Sequence, residues 1–390
     1  YLIDSRLSCA ATKSKRPILL DDTFSLADMR SEVGRMTEDS MTPRDRWLAV
    51  LRRRRCDRIP TDYWATEEVT QRLMQDLCCR NRKELYKRLH IDAVISVGPS
   101  YIGPQLPEDS DIYGCRYRNM QYGTGVYREC VYNPLAQYKT VEEIKRSFIW
   151  PTVDLYDYSI IPDEIKDWSD YPIRGGGSEP FLTYKNLRGM KQAYLDLYLN
   201  PEIVHYCLDQ LFEFCYENTK LIYEQIPNVV MLSYVAEDFG SQTGLLISPA
   251  HIREFFLSRM KKMMILAHSH GVYVFFHSDG AVRKIIPDMV EAGIDVLNPI
   301  QWRCKGMDRE KLKRDFGSKV VFHGGMDNQQ TLAFGLEKQV RQEVRDNLNI
   351  LGKGGGYILA PCHNIQPVTP IRNILAMYEE AYKQSLHNCP

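Results

Sequence analysis

The sequence predicts an α/β fold, a (β/α)8 barrel with an antiparallel hairpin-rich insertion, on three observations. Eight short apolar runs are spread between residues 61 and 360, stretches of helical periodicity separate them, and Asp, Glu, His and Cys gather just after the ends of the last five. Eight parallel strands, each followed by a helix, close a barrel whose active site lies beyond the C-terminal strand ends.

Residues 1–40 show neither a sustained apolar period nor the basic, apolar and small-residue succession of a signal peptide. They read as an N-terminal extension, poorly ordered or not native; the alternative is a genuine extension with a short helix over 26–33. In Met41-Thr-Pro-Arg-Asp-Arg, Thr42 can cap a helix and Pro43 suits its first turn, while Trp47, Leu48 and Leu51 form an apolar stripe. Met41 therefore reads as the natural start, and 41–385 as a single barrel domain. The eight strands are expected at 61–64, 93–97, 173–176, 229–236, 272–276, 296–300, 320–323 and 357–360. Asn200-Pro201 opens a helix whose Ile203, Val204, Cys207, Leu208, Leu211 and Phe212 fall on one face. Ser248-Pro249 opens another, with Ile252, Phe255, Phe256, Met263 and Met264 on one side and a stop at Gly271. Between the second and third runs lies a long excursion rich in Tyr and Gly, which alternates like a hairpin and is expected to cover the barrel mouth.

Composition narrows the function classes. In 390 residues, 50 Lys+Arg offset 50 Asp+Glu, so no net field attracts nucleic acid or an anionic membrane surface. No apolar run approaches the roughly 20 residues that span a bilayer. The cysteines number 11, an odd count without regular spacing, so no disulfide framework is expected and the chain reads as cytoplasmic.

Chemistry is expected at the strand ends. These carry Glu237-Asp-Phe-Gly240, His277-Ser-Asp-Gly280, Asn298-Pro-Ile-Gln301, His323-Gly-Gly-Met-Asp327 and Pro361-Cys-His-Asn364. Glu, His, Asp and Cys from three strand ends can hold Zn2+, whose ligands need not be local in sequence. Plainer readings stand beside this one. His277 can be a core histidine satisfied by a carbonyl, Cys362 small core filler, and Asp279-Gly280 a turn. Glu237 and Asp238 are adjacent carboxylates where burial and like charge can raise one pKa and supply a general acid, or where one simply accepts loop hydrogen bonds. Gly175-Gly-Gly177 and Gly354-Gly-Gly356 lack a phosphate-loop fingerprint and read as tight turns, and Arg52 to Arg55 as a solvated helix end.

Several longer motifs carry a resemblance: Leu187-Arg-Gly-Met190, Asp196-Leu-Tyr-Leu-Asn-Pro201, Glu237-Asp-Phe-Gly-Ser-Gln, Leu246-Ile-Ser-Pro249, Phe276-His-Ser-Asp-Gly280, Asp295-Val-Leu-Asn-Pro-Ile-Gln301 and Gly356-Tyr-Ile-Leu-Ala-Pro-Cys-His-Asn-Ile-Gln366. From Met41 to about Lys383 the chain resembles the uroporphyrinogen decarboxylase family, which implies the same barrel. One branch of that family decarboxylates uroporphyrinogen III without a cofactor, and resemblance to it implies an arginine-bearing segment like Arg-Gln-Ala-Gly-Arg after the first strand. Here that place holds Thr61-Asp-Tyr-Trp-Ala-Thr-Glu-Glu68, with no arginine. A macrocycle edged with carboxylates calls for a cationic mouth, so the departure argues against this chemistry.

The other branch comprises corrinoid-dependent methyltransferases, and resemblance to it implies a zinc site. His277 and Cys362 fall where two of its ligands would be, Asp279 stands in place of a middle Cys, and Glu237 completes the set. So hard a set suits activation of an oxygen leaving group. The expected reaction is therefore demethylation of a small methoxylated compound, with Asp238 or Asp279 delivering a proton and the methyl group passing to a corrinoid on a separate protein. Substrate contacts are expected from Asp62, Tyr63, Asn298, Gln301, Asp327, His363 and Asn364. The alternatives are a metal-free decarboxylase and a catalytically silent barrel acting as a binding component; a homodimer is implied by the resemblance alone.

Overall fold

The computed structural model describes residues 39–122 and 125–385. The expected extension, with its helix over 26–33, lies outside the described residues apart from its last two positions. Seven parallel strands follow one another around a curled sheet: Ile95–Val97, Ile173–Ser178, Leu232–Ala236, Tyr273–His277, Val296–Asn298, Val321–Met326 and Tyr357–Pro361. The strand expected at 61–64 is reduced to single parallel bridges, Thr61 with Leu359 and Ala65 with Ile365. It still fills the eighth position. Asp62 N–H donates to Leu359 O at 2.9 Å on one flank, and on the other Thr61 O accepts from Asp92 N–H at 2.7 Å. The ladder stays short because the Asp62 carboxylate takes the N–H groups of Tyr63 (2.8 Å) and Val94 (3.0 Å), which a longer strand pairing would use.

The helices form where capping and periodicity predict. Thr42 Oγ1 accepts from Asp45 N–H at the start of Pro43–Leu51, and Ser248 Oγ accepts from His251 N–H at the start of Pro249–His251. Pro201–Gln225 buries Ile203, Val204, Cys207, Leu208, Leu211 and Phe212. From Pro249 the chain widens into a π-helical stretch, Ile252–Leu257, before Ser258–Ser269. The insertion is a hairpin, Arg116–Tyr122 against Gly125–Tyr132. It is anchored to the helix Pro180–Arg188, where Asn133 Nδ2 donates to Asn186 O at 2.7 Å and Arg188 Nη1 to Leu135 O at 2.6 Å. Every cysteine among the described residues is a free thiol, and no helix among them is long and apolar enough to cross a membrane.

Strand alternation divides the apolar side chains into two cores. Ile173, Val235, Val274, Phe276, Leu297, Phe322, Tyr357 and Leu359 face the helices. Leu232, Phe275, Val296, Val321 and Ile358 face the barrel lumen, packed with Trp64 and Tyr234. Trp47 plugs the lumen from the N-terminal end, fully buried, with its Nε1–H on Asp92 O at 2.7 Å. Beside it Arg58 holds both Asp92 oxygens, at 2.7 and 3.0 Å, while Arg46 contacts Asp92 and makes two 2.7 Å bonds to Asp57.

Candidate active site

The alternation that places Phe275 and Tyr234 in the lumen also directs the polar residues at the strand ends. Asp238 shares its parity with Leu232 and Tyr234, His277 and Asp279 with Phe275, Asn298 with Val296, and His323 with Val321. Glu237 shares its parity with Val235 and Phe239, both in the outer core. The mouth therefore receives Asp238 and not its neighbour.

Asp238, His277 and Asp279 bring one ligand atom each to within 4.8 Å of one another, forming the group of this kind found among the described residues. His277 Nε2 lies 3.6 Å from Asp238 Oδ1, which also accepts from Asp279 N–H at 3.2 Å. Gln301 orients Asp279, donating to its Oδ1 at 2.9 Å while accepting from Gly280 N–H at 2.7 Å. Gly280, at φ +86°, makes the turn, and an added Cβ would stand 2.5 Å from the Gly240 backbone.

A buried relay fixes the imidazole. Asp62 Oδ2 accepts at 3.0 Å from His323 Nε2–H, so His323 Nδ1 is free to accept from Asn298 Nδ2–H at 2.6 Å. Asn298 Oδ1 then accepts from His277 Nδ1–H at 2.6 Å. This network assigns the tautomer that leaves the His277 Nε2 lone pair toward Asp238, the orientation a metal ligand or base requires. Trp64 and Tyr234 confine the ring, with centroids at 5.8 and 5.6 Å.

The charges here are unbalanced. Burial pushes the Asp279 carboxyl up to about 6, His277 opposing and Asp238 adding to the shift. Burial and then the charge of Asp238 push Glu179 up to about 7. Glu237 is raised well above the carboxylate range, by burial first and by Glu179 next. Its Oε1 accepts from Phe181 N–H at 2.6 Å, at the start of the helix that follows Glu179, and its Oε2 is buried without a partner. A divalent cation among these carboxylates would reverse the cost of ionising them.

Several expectations need correction. Glu237 and Cys362 do not join His277 in a ligand group. Glu237 is turned to the helix start, and the Cys362 Sγ–H donates to Ile300 O at 3.2 Å, its thiol held protonated by burial. Asp62 is 1% exposed and meets the site only indirectly, through His323 and Trp64, and Asn298 is likewise sealed beneath His277. Tyr63 turns away, with its OH 3.0 Å from Thr70 Oγ1 and its ring against Tyr86 and Tyr378. Asp327 is occupied by Arg303 at 2.5 Å and by the N–H groups of Gln329 and Thr331. His363 and Asn364 are exposed, outside the ligand group.

Two residues escaped the sequence reading, Glu179 and Arg174. The signal was available for Glu179, which follows the end of the third strand just as Glu237 and His277 close the fourth and fifth. Arg174 has the lumen parity within Ile173–Ser178, hidden by the glycines after it.

Fold and site together define a (β/α)8 barrel with an acidic, histidine-bearing mouth able to hold a cation. Residues 159–384 match the family model described as Uroporphyrinogen decarboxylase (URO-D), more than half of the chain, and the protein belongs to that family. Uroporphyrinogen decarboxylases of Pseudomonas fluorescens and Pseudomonas syringae pv. syringae are each 28% identical to it over 221 residues, 55% of this chain and 55% of theirs. The chain thus spans about half the length of the curated relatives it matches. A methyltransferase from Methanosarcina mazei shares the fold, with a TM-score of 0.63 and 20% identity over 88% of this chain and 99% of that one.

Proposed function

We propose that this protein is a zinc-dependent methyltransferase that takes a methyl group from a small methoxylated donor and passes it to a corrinoid carried by a separate protein. The observation that carries this reading is the convergence of Asp238, His277 and Asp279, two of them buried, with the His277 tautomer fixed for ligation. Two carboxylates and an imidazole are a hard-to-borderline donor set, which fits Zn2+ engaged with an oxygen rather than a thiol. When bound, Zn2+ would supply Lewis-acid polarisation of the donor oxygen. Asp238 and Asp279 would then be ligands, and Glu179, which feels the charges of both and whose carboxyl burial pushes up to about 7, would be the proton donor to the departing oxygen. Asn298, His323 and Asp62 hold the imidazole, and Trp64 and Tyr234 exclude water from its faces. The same barrel serves a methyltransferase in Methanosarcina mazei, so the scaffold is compatible with the reaction.

The experiment is demethylation of methoxylated donors with zinc and a corrinoid acceptor. Turnover that disappears in His277→Ala is the expected result. Release of CO2 from acidic substrates, unaffected by His277→Ala, would replace methyl transfer by decarboxylation.

A further inference from the structure

The basic run after the first helix and the glycine turn before the last strand line one cavity of about 180 Å3 at the N-terminal end of the barrel. Arg53, Arg54 and Arg55 follow the helix Pro43–Leu51, and Gly354 to Gly356 lead from the helix Glu337–Ile350 into the strand Tyr357–Pro361. Asp238, His277 and Asp279 stand at the opposite ends of the barrel strands. Arg53 clasps the turn: its Nη2 donates to Val320 O at 2.8 Å, and a Cβ at Gly356 would stand 2.6 Å from its Nη1. Lys313 holds the turn too, donating to Leu351 O at 2.7 Å and to Gly355 O at 2.6 Å. Among the described residues no carboxylate comes within the 4.0 Å of an ion pair with Arg53, Arg54, Arg55 or Lys313, whereas Arg46 and Arg58, on either side of the run, are matched by Asp57 and Asp92. Burial, and then the charge of Arg53, push the Lys313 ammonium down to about 8. Two donors are idle as well, since the N–H groups of Gly354 and Gly356 donate to no oxygen among the described residues. The backbone is bent to make this arrangement, with φ of +71°, +80° and +71° at Gly354, Gly355 and Gly356, and +52° at Arg53, where a side chain makes that conformation costly.

We propose that this cavity is a binding site for a phosphoryl group, free phosphate or the phosphate of a small monoester, gripped by Arg53, Arg54 and Arg55 together with the N–H groups of Gly354 and Gly356. The bound anion supplies the negative charge that the run lacks. A phosphoryl group, with three acceptor oxygens and a charge of about −2, can serve several guanidinium groups at once, whereas a carboxylate offers two oxygens and a single charge. Guanidinium is planar and forked and matches such oxyanions in pairs of bonds. A glycine turn lets main-chain N–H groups approach the same oxygens, and beside Gly354 the space is open. Val50, Ile59 and Tyr357, all buried, line the rest of the cavity and shield these contacts from water, which strengthens them.

Calorimetric titration of the full chain at constant ionic strength tests this, with inorganic phosphate, glycerol 3-phosphate and acetate as probes. Phosphate is expected to bind at least about tenfold more tightly than acetate. The side chains of Arg54 and Arg55 make no hydrogen bond or ion pair among the described residues, so the double variant Arg54→Gln, Arg55→Gln should lose at least about tenfold of the phosphate affinity without a lowered urea midpoint. Asp279→Asn should bind phosphate as the wild type does, because its carboxylate lies at the other end of the barrel. Glycerol 3-phosphate bound more tightly than free phosphate marks a monoester as the ligand, and the reverse order marks free phosphate; either supports the site. Three results overturn it: no binding of phosphate at millimolar concentration, equal affinities for phosphate and acetate, or a phosphate affinity that disappears in Asp279→Asn and survives in the double variant.

Discussion

At the N-terminal end of the barrel Arg46 and Arg58 enclose Asp92 and Asp57, whereas at the C-terminal end Asp238, Asp279, Glu179 and Glu237 crowd together. Both regions are charged and both are largely buried. The lower end matches Asp92 and Asp57 with two guanidinium groups and ties the Pro43–Leu51 helix to the loop before the first strand. The upper end carries carboxyls whose ionisation burial makes costly. The lower cluster holds the fold together and the upper end is arranged for a ligand, as the general division between the two faces of such barrels leads one to expect.

The largest expected effect lies at the matched end. Asp92→Ala leaves two buried guanidinium groups short of their partner and should cost about 3–5 kcal/mol, read as a lowered urea midpoint. A loss under about 1 kcal/mol would show that the cluster is solvated and dispensable. At the mouth, Asn298→Ala frees the His277 tautomer without touching a ligand atom. Zinc affinity should fall about 10- to 100-fold, since positioning partners of metal ligands have effects of that size, beside a stability loss of about 1–3 kcal/mol for the buried histidine nitrogens left unpaired. Equal zinc affinity in the variant would mean that the relay is packing alone.

The two ends should also titrate with opposite signs. Burial raises the Asp57 carboxyl, but the bonds and charge of Arg46 more than offset it, so its folded pKa is depressed. Its contribution to stability is full above the unfolded value of about 4 and is lost as pH falls through the folded one. Asp279 and Glu179, raised to about 6 and about 7, behave conversely: folded protein holds protons that unfolded chain has released, so stability falls as pH climbs from about 4 through those values. Chelator-treated protein should show this decline in urea midpoint, and Glu179→Gln should flatten its upper part. A midpoint rising over the same window would contradict the unbalanced mouth.

The smallest effect is expected at Glu237. With its carboxyl protonated, Glu237→Gln keeps the bond to Phe181 N–H and should change stability by less than about 1 kcal/mol, with zinc content intact. Loss of zinc in that variant would return Glu237 to the ligand set.

How much of this was legible in the sequence follows from strand geometry. Seven strand positions and the hairpin are visible as apolar runs and alternation, and the eighth fails only because Asp62 diverts the N–H groups of Tyr63 and Val94 to its own carboxylate. His277 and Asp279 are legible because they stand at the end of an apolar run, where such a barrel places its chemistry. Period-two counting from Tyr234 directs Asp238, and not Glu237, to the lumen, since the even positions of that strand face it. Cys362 could not be settled this way, because alternation lapses after Pro361 and its Sγ–H bond to Ile300 O joins residues distant in sequence. The relay through Asp62, His323 and Asn298 joins three separate strand positions, and no local spacing encodes it.

The central claim is that Asp238, His277 and Asp279 form a zinc site, and the most direct measurement is metal content of protein purified without a metal-affinity tag, alongside Asp279→Asn. About one zinc per chain in the wild type, sharply reduced in the variant, is the predicted result. Wild-type protein that is fully active without metal, or a variant that keeps its zinc, would contradict it.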